Sequence, residues 1–317
     1  MKEVYPDGYQ SFQCIASACR HSCCIGWEID IDEDTAARYA ELPGLMGERL
    51  RENFLVGDTA SFRLGEDERC PFLNRDNLCE LILNLGEDSL CDICRLHPRF
   101  FHWYDNRVEQ GLGLCCEAAA ALIMGRQEPF RLVSVGEETT LPPELAFRDS
   151  LLELLTSRDL SLEERCRRML ERCGAELPAG CAEEWVTVFL RLEQLEPQWT
   201  AVLQQLQTLW PSLDFLGFRA KATAWETEYE QLLCYFLYRH FLDMAEEFGA
   251  GAAAAFAVLS CGMIFCLHAV HAAVNGDISL ETRIEYARQY SAEIEYSDCN
   301  PGVLLEVLSE KISAKCK

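Results

Sequence analysis

Residues 225–244 read WETEYEQLLCYFLYRHFLDM. Trp225, Tyr229, Leu232, Leu233, Phe236, Leu237, His240, Phe241 and Met244 recur at steps of three and four. That spacing makes one continuous apolar stripe and predicts a helix over roughly 222–247, with His240 as a hydrogen-bonded residue of its core face. Working outward, 183–209 carries a second helical pattern, interrupted at Pro197, which lacks the amide hydrogen that an interior turn needs. Ser161-Leu-Glu-Glu164 has the form of a capping box and predicts a helix to about residue 173. Ser279 predicts the cap of a helix running to about 293, and 302–313 reads as a last one. The segment from Ala252 to Ala273 is apolar enough to resemble a membrane span, but it is rich in Ala and contains Ser260, Gly262, His268 and His271. Small residues and imidazoles suit a tightly packed central helix, so no membrane is expected as a partner. His268 and His271, with Cys261 and Cys266 nearby, read as core residues before metal ligands.

Before about residue 125 the chain changes character, with short apolar runs, turns and cysteines. Phe100–Tyr104, the turn at Asp105-Asn106 and Arg107–Leu114 predict a small β-hairpin. Pro129, Pro142 and Pro143 mark residues 126–145 as a linker. The expected architecture is mainly α. An irregular, cysteine-rich, metal-stapled N-terminal part with a small β-hairpin (1–125) precedes an α-helical, bundle-like C-terminal half (146–317).

Ten of the 18 cysteines lie within the first 116 residues. One group is Cys14-x4-Cys19-x3-Cys23-Cys24, and the other runs through Cys70, Cys79, Cys91 and Cys94 to Cys115-Cys116. The N-terminus, MKEVYPDGYQ, has no apolar stretch of the secretory kind, which predicts a cytoplasmic location where thiols stay reduced. Clustered cysteines in that compartment point to metal binding, and converging thiolates hold zinc or an iron–sulfur cluster. Adjacent side chains rarely face one ion, so one of Cys23 and Cys24 belongs to a second metal or to none. Asn74 to Asn77 predicts a turn that returns the chain to Cys79. Cys91-Asp-Ile-Cys94 has redox spacing, but no βαβ pattern surrounds it, which favours ligation. Cys115 or Cys116 closes the set, and His97 and His102 are further imidazole candidates. Only Cys19/Cys23 and Cys91/Cys94 have the hook spacing of zinc. The looser separations elsewhere favour a 4Fe–4S cluster, with zinc as the alternative. Cys166, Cys173, Cys181, Cys234, Cys299 and Cys316 are scattered and read as small hydrophobes or surface thiols. Asp30, Asp32, Asp34 and Glu41 fall at calcium-loop positions, but Thr35 replaces the glycine of the sharp turn, so they read as an acidic helix N-terminus.

Lys and Arg number 28 against 52 Asp and Glu, a net charge of −24. Such a surface repels nucleic acid and anionic lipid and suits a cationic partner such as a lysine-bearing protein.

At its cysteines the chain resembles the flagellin lysine-N-methylases. The family's F-x-C-x4-C-x3-CC-x-GW-x-I-x-I pattern is met by Phe12, Cys14, Cys19, Cys23-Cys24, Gly26-Trp27, Ile29 and Ile31. Its CPFL…LC…LGE…C…PR pattern is met by Cys70-Pro71-Phe72-Leu73, Leu78-Cys79, Leu85-Gly86-Glu87, Cys94 and Pro98-Arg99. An S-C-P-E-x-A element is matched by Leu114-Cys115-Cys116-Glu117-Ala118-Ala119, with Cys116 where the family has Pro, which points to Cys115 as the ligand. Glu293-Ile-Glu295-Tyr296-Ser297 is similar to an IEHS-like stretch, with Tyr for His. The resemblance implies a cytoplasmic enzyme that moves methyl groups from S-adenosylmethionine to lysines of flagellin. It also implies an iron–sulfur cluster on Cys14, Cys19, Cys23, Cys24, Cys70, Cys79, Cys94 and Cys115. Methyl transfer needs a neutral lysine, hence a base, and a sulfonium favours acidic and aromatic neighbours. Trp27, Trp103, Tyr104, Glu117, Glu295 and Tyr296 are groups of that kind. Gly111-Leu-Gly113 lacks the third glycine of a dinucleotide fingerprint, so the sequence assigns neither catalytic nor cofactor-binding residues. The alternative is a non-enzymatic iron–sulfur or zinc-binding module, a redox sensor or interaction protein.

Overall fold

A computed structural model describes residues 1–55, 57, 59–137, 140–176 and 183–315. Cys181, Cys316 and part of the expected linker lie outside them. In chain order the elements are β1 (Lys2–Pro6), β2 (Asp30–Ile31), α1 (Glu33–Glu41), α2 (Gly44–Glu52), β3 (Phe54–Leu55), β4 (Ala60–Phe62), α3 (Glu80–Leu85), α4 (Asp92–Leu96), β5 (Arg99–Tyr104), β6 (Arg107–Leu112), α5 (Glu117–Met124) and β7 (Leu132–Val135). Helices follow: α6 (Pro143–Thr156), α7 (Leu162–Arg172), α8 (Glu183–Phe189), α9 (Pro197–Leu209), α10 (Phe215–Ala222), α11 (Glu226–Phe248), α12 (Ala250–Asn275), α13 (Leu280–Ile294) and α14 (Asn300–Lys315). The fold is mainly α, as the sequence predicts.

Two compact units divide the chain: a helical unit of residues 1–11, 101–115 and 119–317, and a cysteine-rich unit of 12–100 and 116–118. This division differs from one at 125/146. The predicted hairpin forms, but its strands join a four-stranded sheet of the helical unit, in the order β5-β6-β1-β7. β1 runs parallel to β6, with Val4 opposite Glu109, and antiparallel to β7, with Glu3 opposite Val135. Residues 132–135 are therefore a sheet strand within the segment read as linker. Pairing partners a hundred residues apart leave no local signal, which is why β1 and β7 escape a sequence reading.

The central helices are α11 and α12. Gly249 joins them at φ +86, a backbone setting that side-chain-bearing residues rarely adopt. Ala252 to Ala255 and Ala257 are buried, and such small side chains let helices approach closely. By length and composition α12 could cross a membrane, yet 67% of its apolar window is buried inside the protein, as suits a core helix. The predicted stripe of α11 understates its burial. Glu228, Glu230 and Gln231 are also buried, because α6, α12 and α14 pack around the helix. Each polar group has a partner: Glu228 holds Arg283 at 2.6 Å, Glu230 holds Arg165 at 2.7 Å, and Gln231 donates to the Glu128 carbonyl at 2.8 Å. Unpaired, they would each cost several kcal/mol of order.

Helix starts follow the sequence. Ser161 Oγ accepts from Glu164 N at 3.3 Å, Ser279 Oγ from Thr282 N at 3.2 Å and Asp32 Oδ1 from Thr35 N at 2.9 Å, while Pro197 opens α9. Ser161→Ala is expected to lower unfolding free energy by about 1 kcal/mol, read as an earlier urea midpoint. An unshifted midpoint would mean that the cap contributes nothing here.

The cysteine-rich unit has its own core of Ile29, Ile31, Tyr39, Leu50, Phe62 and Phe72, with Cys70 and Cys91 inside it. A three-stranded sheet, order β2-β4-β3, lines this core.

Candidate functional site

In the helical unit, α11 and the end of α13 build a buried polar network. Tyr235 and Arg239 lie four residues apart on one face of α11, and His240, next to Arg239, flanks that face. Glu295 follows α13, and its side chain has no solvent exposure (0%). The Tyr235 hydroxyl lies 2.9 and 3.1 Å from the two Glu295 oxygens. It also accepts from Leu114 N at 3.0 Å and from Arg239 Nη1 at 2.6 Å. Arg239 Nη1 stands 3.4 Å from Glu295 Oε1, and His240 Nε2 is hydrogen-bonded to the same oxygen.

The electrostatics assign charges. Burial works against ionising Glu295, but Arg239 and the His240 hydrogen bond outweigh it and hold the carboxyl below its usual range. Burial lowers His240 despite the pull of Glu295, and burial drives the Tyr235 phenol far above its usual value. The result is a carboxylate balanced by one guanidinium and held by a neutral imidazole and a neutral phenol. With Nε2–H donating to Glu295, the Nδ1 of His240 is the imidazole's acceptor atom. Tyr296, the next residue, is 45% exposed, and its ring centroid lies 5.2 Å from the Arg239 guanidinium carbon. Burial comes first and the Cys115 thiol contributes in raising its hydroxyl.

Of the aromatic and acidic candidates, the network takes in Glu295 and Tyr296. Trp103 and Tyr104 sit on β5 of the same unit. Trp27 and Glu117 belong to the cysteine-rich unit, where Trp27 Nε1 donates to the Cys23 carbonyl at 2.6 Å and Glu117 pairs with Arg20 at 2.8 Å. Sequence reasoning missed Tyr235 and Arg239. Their four-residue spacing beside the apolar stripe was the available signal. His240 is hydrogen-bonded, as predicted. His268 likewise lies in the core, between the Tyr229 hydroxyl at 2.9 Å and the Arg283 carbonyl at 3.1 Å, and burial depresses it to about 3.

The thiols sort in a way that the sequence groups do not. Cys24, Cys70, Cys79, Cys91 and Cys94 all pack in or against the core of the cysteine-rich unit. Backbone pairing sets them there: Cys70 N donates to the Cys24 carbonyl at 2.8 Å, and Cys79 bridges Leu73 across the predicted Asn74–Asn77 turn, closed by Asn74 N to the Leu78 carbonyl at 2.9 Å. Cys91 and Cys94 share a side-chain hydrogen bond, and the charges of Cys24 and Cys70 reach Cys94. Cys14, Cys19, Cys23 and Cys116 instead influence one another outside that core. Cys23 and Cys24 hydrogen-bond to each other, Cys24 packing against the core and Cys23 lying at its border. Cys115 falls in the helical unit, beside Tyr296. His97, depressed to about 4 by burial, lies tilted against Trp27 with ring centroids 6.0 Å apart, while His102 lies in the helical unit 3.6 Å from Asp243. The cysteines are free thiols among the described residues, and no three His, Cys, Asp or Glu side chains there are close enough to hold a metal ion as they stand. The donor chemistry of the five core thiols nonetheless fits a soft metal or cluster.

Residues 182–314 match the family described as the FliB lysine N-methylase C-terminal domain, and this stretch contains Tyr235, Arg239, His240, Glu295 and Tyr296. The chain is 30% identical over 142 residues to the flagellar biosynthetic protein FliU of Salmonella muenchen, covering 84% of that protein and 42% of this chain. The chain belongs to the flagellin lysine-N-methylase family. Lysine-N-methylases of Salmonella typhimurium and Salmonella choleraesuis are each 25% identical over 228 residues, 66% of this chain. The chain matches 55% of the length of these two methylases. No solved structure matches it.

Proposed function

We propose that this lysine-N-methylase relative transfers methyl groups from S-adenosylmethionine to lysine side chains of a protein, with flagellin as the substrate and the cytoplasm as the place. The observation that carries the reading is the Glu295–His240 pair, a carboxylate aligned on an imidazole within the family's C-terminal domain. S-adenosylmethionine would supply an electrophilic methyl group. The protein's part is to deliver a neutral amine. A lysine near pH 7 is an ammonium, so a base must take its proton before the nitrogen can attack carbon. His240 is the base in this reading: its side chain is 17% exposed, and the proton moves from the substrate nitrogen to Nδ1. Glu295 then stabilises the imidazolium through Nε2–H. Tyr235 and Arg239 fix the carboxylate and are positioning residues. The acidic surface, at −24, favours approach of a cationic substrate.

The five core thiols are the proposed holders of a 4Fe–4S cluster, with zinc as the alternative. A bound cluster would lock a small core that holds five thiols. Incubating the chain with S-adenosylmethionine and flagellin, then weighing the flagellin, tests the reaction. Mass gains in whole methylene steps on lysine are expected in wild type and not in His240→Gln. No gain across several lysine-rich flagellins would sink the reading.

A further inference from the structure

We propose that the Phe101–Tyr104 part of β5, the end strand of its sheet, docks an extended, lysine-bearing segment of the protein substrate through Phe101 and Trp103. The occupant's identity rests on the methyl-transfer reading.

Among the described residues β5 is an edge strand, since the sheet order is β5-β6-β1-β7. An edge strand offers backbone N–H and C=O groups to any extended chain. Edges are usually blunted by lysine, proline or inward-pointing charge. The sequence of β5, Arg-Phe-Phe-His-Trp-Tyr, has only the Arg99 at its start.

Alternation splits the strand's side chains between two faces. His102 turns to α11, with Nδ1 3.6 Å from Asp243. Phe101 and Trp103 take the other face and stack, with ring centroids 6.3 Å apart and 23° between planes. Trp103 is 68% exposed. An indole held open by a stacked neighbour is a ready receptor for an ammonium group, methylated or not. The same edge is acidic, with Asp105 in the hairpin turn and Asp243 73% exposed. A second copy of this chain, also at −24, would be repelled from such an edge, whereas a cationic segment is attracted. The edge also adjoins the proposed base: Asp243 stands three residues beyond His240, on one face of α11. A segment laid along β5 therefore runs past the end of α11 that carries His240.

The test measures binding of a labelled lysine-bearing flagellin peptide to the full chain by fluorescence anisotropy, with methyl transfer followed separately. Trp103→Ala is expected to weaken binding about 3- to 30-fold, Trp103→Phe much less, and a Lys→Gln peptide should bind wild type poorly. In the methylation assay Trp103→Ala should raise KM and leave kcat unchanged. Unaltered peptide binding by Trp103→Ala overturns the docking proposal even where methyl transfer persists. Trp103-dependent binding without any methyl transfer leaves the docking and overturns the reaction. Dimerisation of wild type that Trp103→Ala abolishes would make a second copy the occupant and would also overturn the proposal.

Discussion

Glu295→Gln is expected to destabilise the protein by about 3–5 kcal/mol and to reduce turnover on the order of 10²- to 10⁴-fold. The stability loss arises because Arg239, only 12% exposed, keeps its charge while its counter-charge goes. The turnover loss arises because His240 loses both its alignment and the anion that favours its protonated form. Tyr235→Phe is a milder control, since it removes one neutral hydroxyl and costs about 1 kcal/mol. The pH dependence separates a charge effect from mere packing. The folded-state pKa of Glu295 lies below its unfolded value, near 4.3, so its contribution is present above that pH and is lost as pH falls through the folded value. Urea midpoints of wild type should therefore drop below about pH 4, and those of Glu295→Gln should drop less over that window. A variant with wild-type midpoint and turnover at pH 7 would remove Glu295 from both roles.

The double change Cys91→Ala/Cys94→Ala is expected to empty the cysteine-rich unit of bound metal. Protein purified without oxygen should be brown and carry iron and acid-labile sulfide, and the double variant should carry neither. Both thiols are removed together because each is a proposed holder and the two hydrogen-bond to each other. Cys24→Ala should also lose metal, since Cys24 packs against the shared core, and Cys116→Ala should spare it. Cys166→Ala, on α7 of the helical unit, is the neutral control. Loss of metal should also lower the melting temperature, because binding free energy adds to folding. Colourless protein containing zinc would select the alternative metal. Unchanged iron content in the double variant would place the cluster elsewhere.

Much of the fold is legible because it rests on local chemistry. Helix caps at Ser161 and Ser279, the proline start of α9 and the Asn74–Asn77 turn each depend on residues within a few positions of one another. The hairpin of β5 and β6 is read for the same reason. The family likewise follows from the spacing of cysteines and their neighbours along the chain. The candidate site is legible only in pieces. Glu295 and Tyr296 stand out as part of a motif, and His240 as a polar interruption of an apolar stripe. That Glu295 lies against Tyr235, Arg239 and His240 is set by how α11 meets the end of α13, which no short segment encodes.

The sequence by itself determined the long helices of the C-terminal half, the caps at Ser161 and Ser279 and the supply of sulfur and carboxylate groups, since those depend on neighbours in the chain, whereas α2, α6 and α10 are not read from it. Tertiary structure alone decided that Cys24 packs against the core thiols, that residues 2–6 and 132–135 become strands, and that Glu228, Glu230 and Gln231 of α11 are buried beside its apolar stripe. Each of these depends on desolvation and pairing between segments distant in sequence, and only the folded chain brings those segments together.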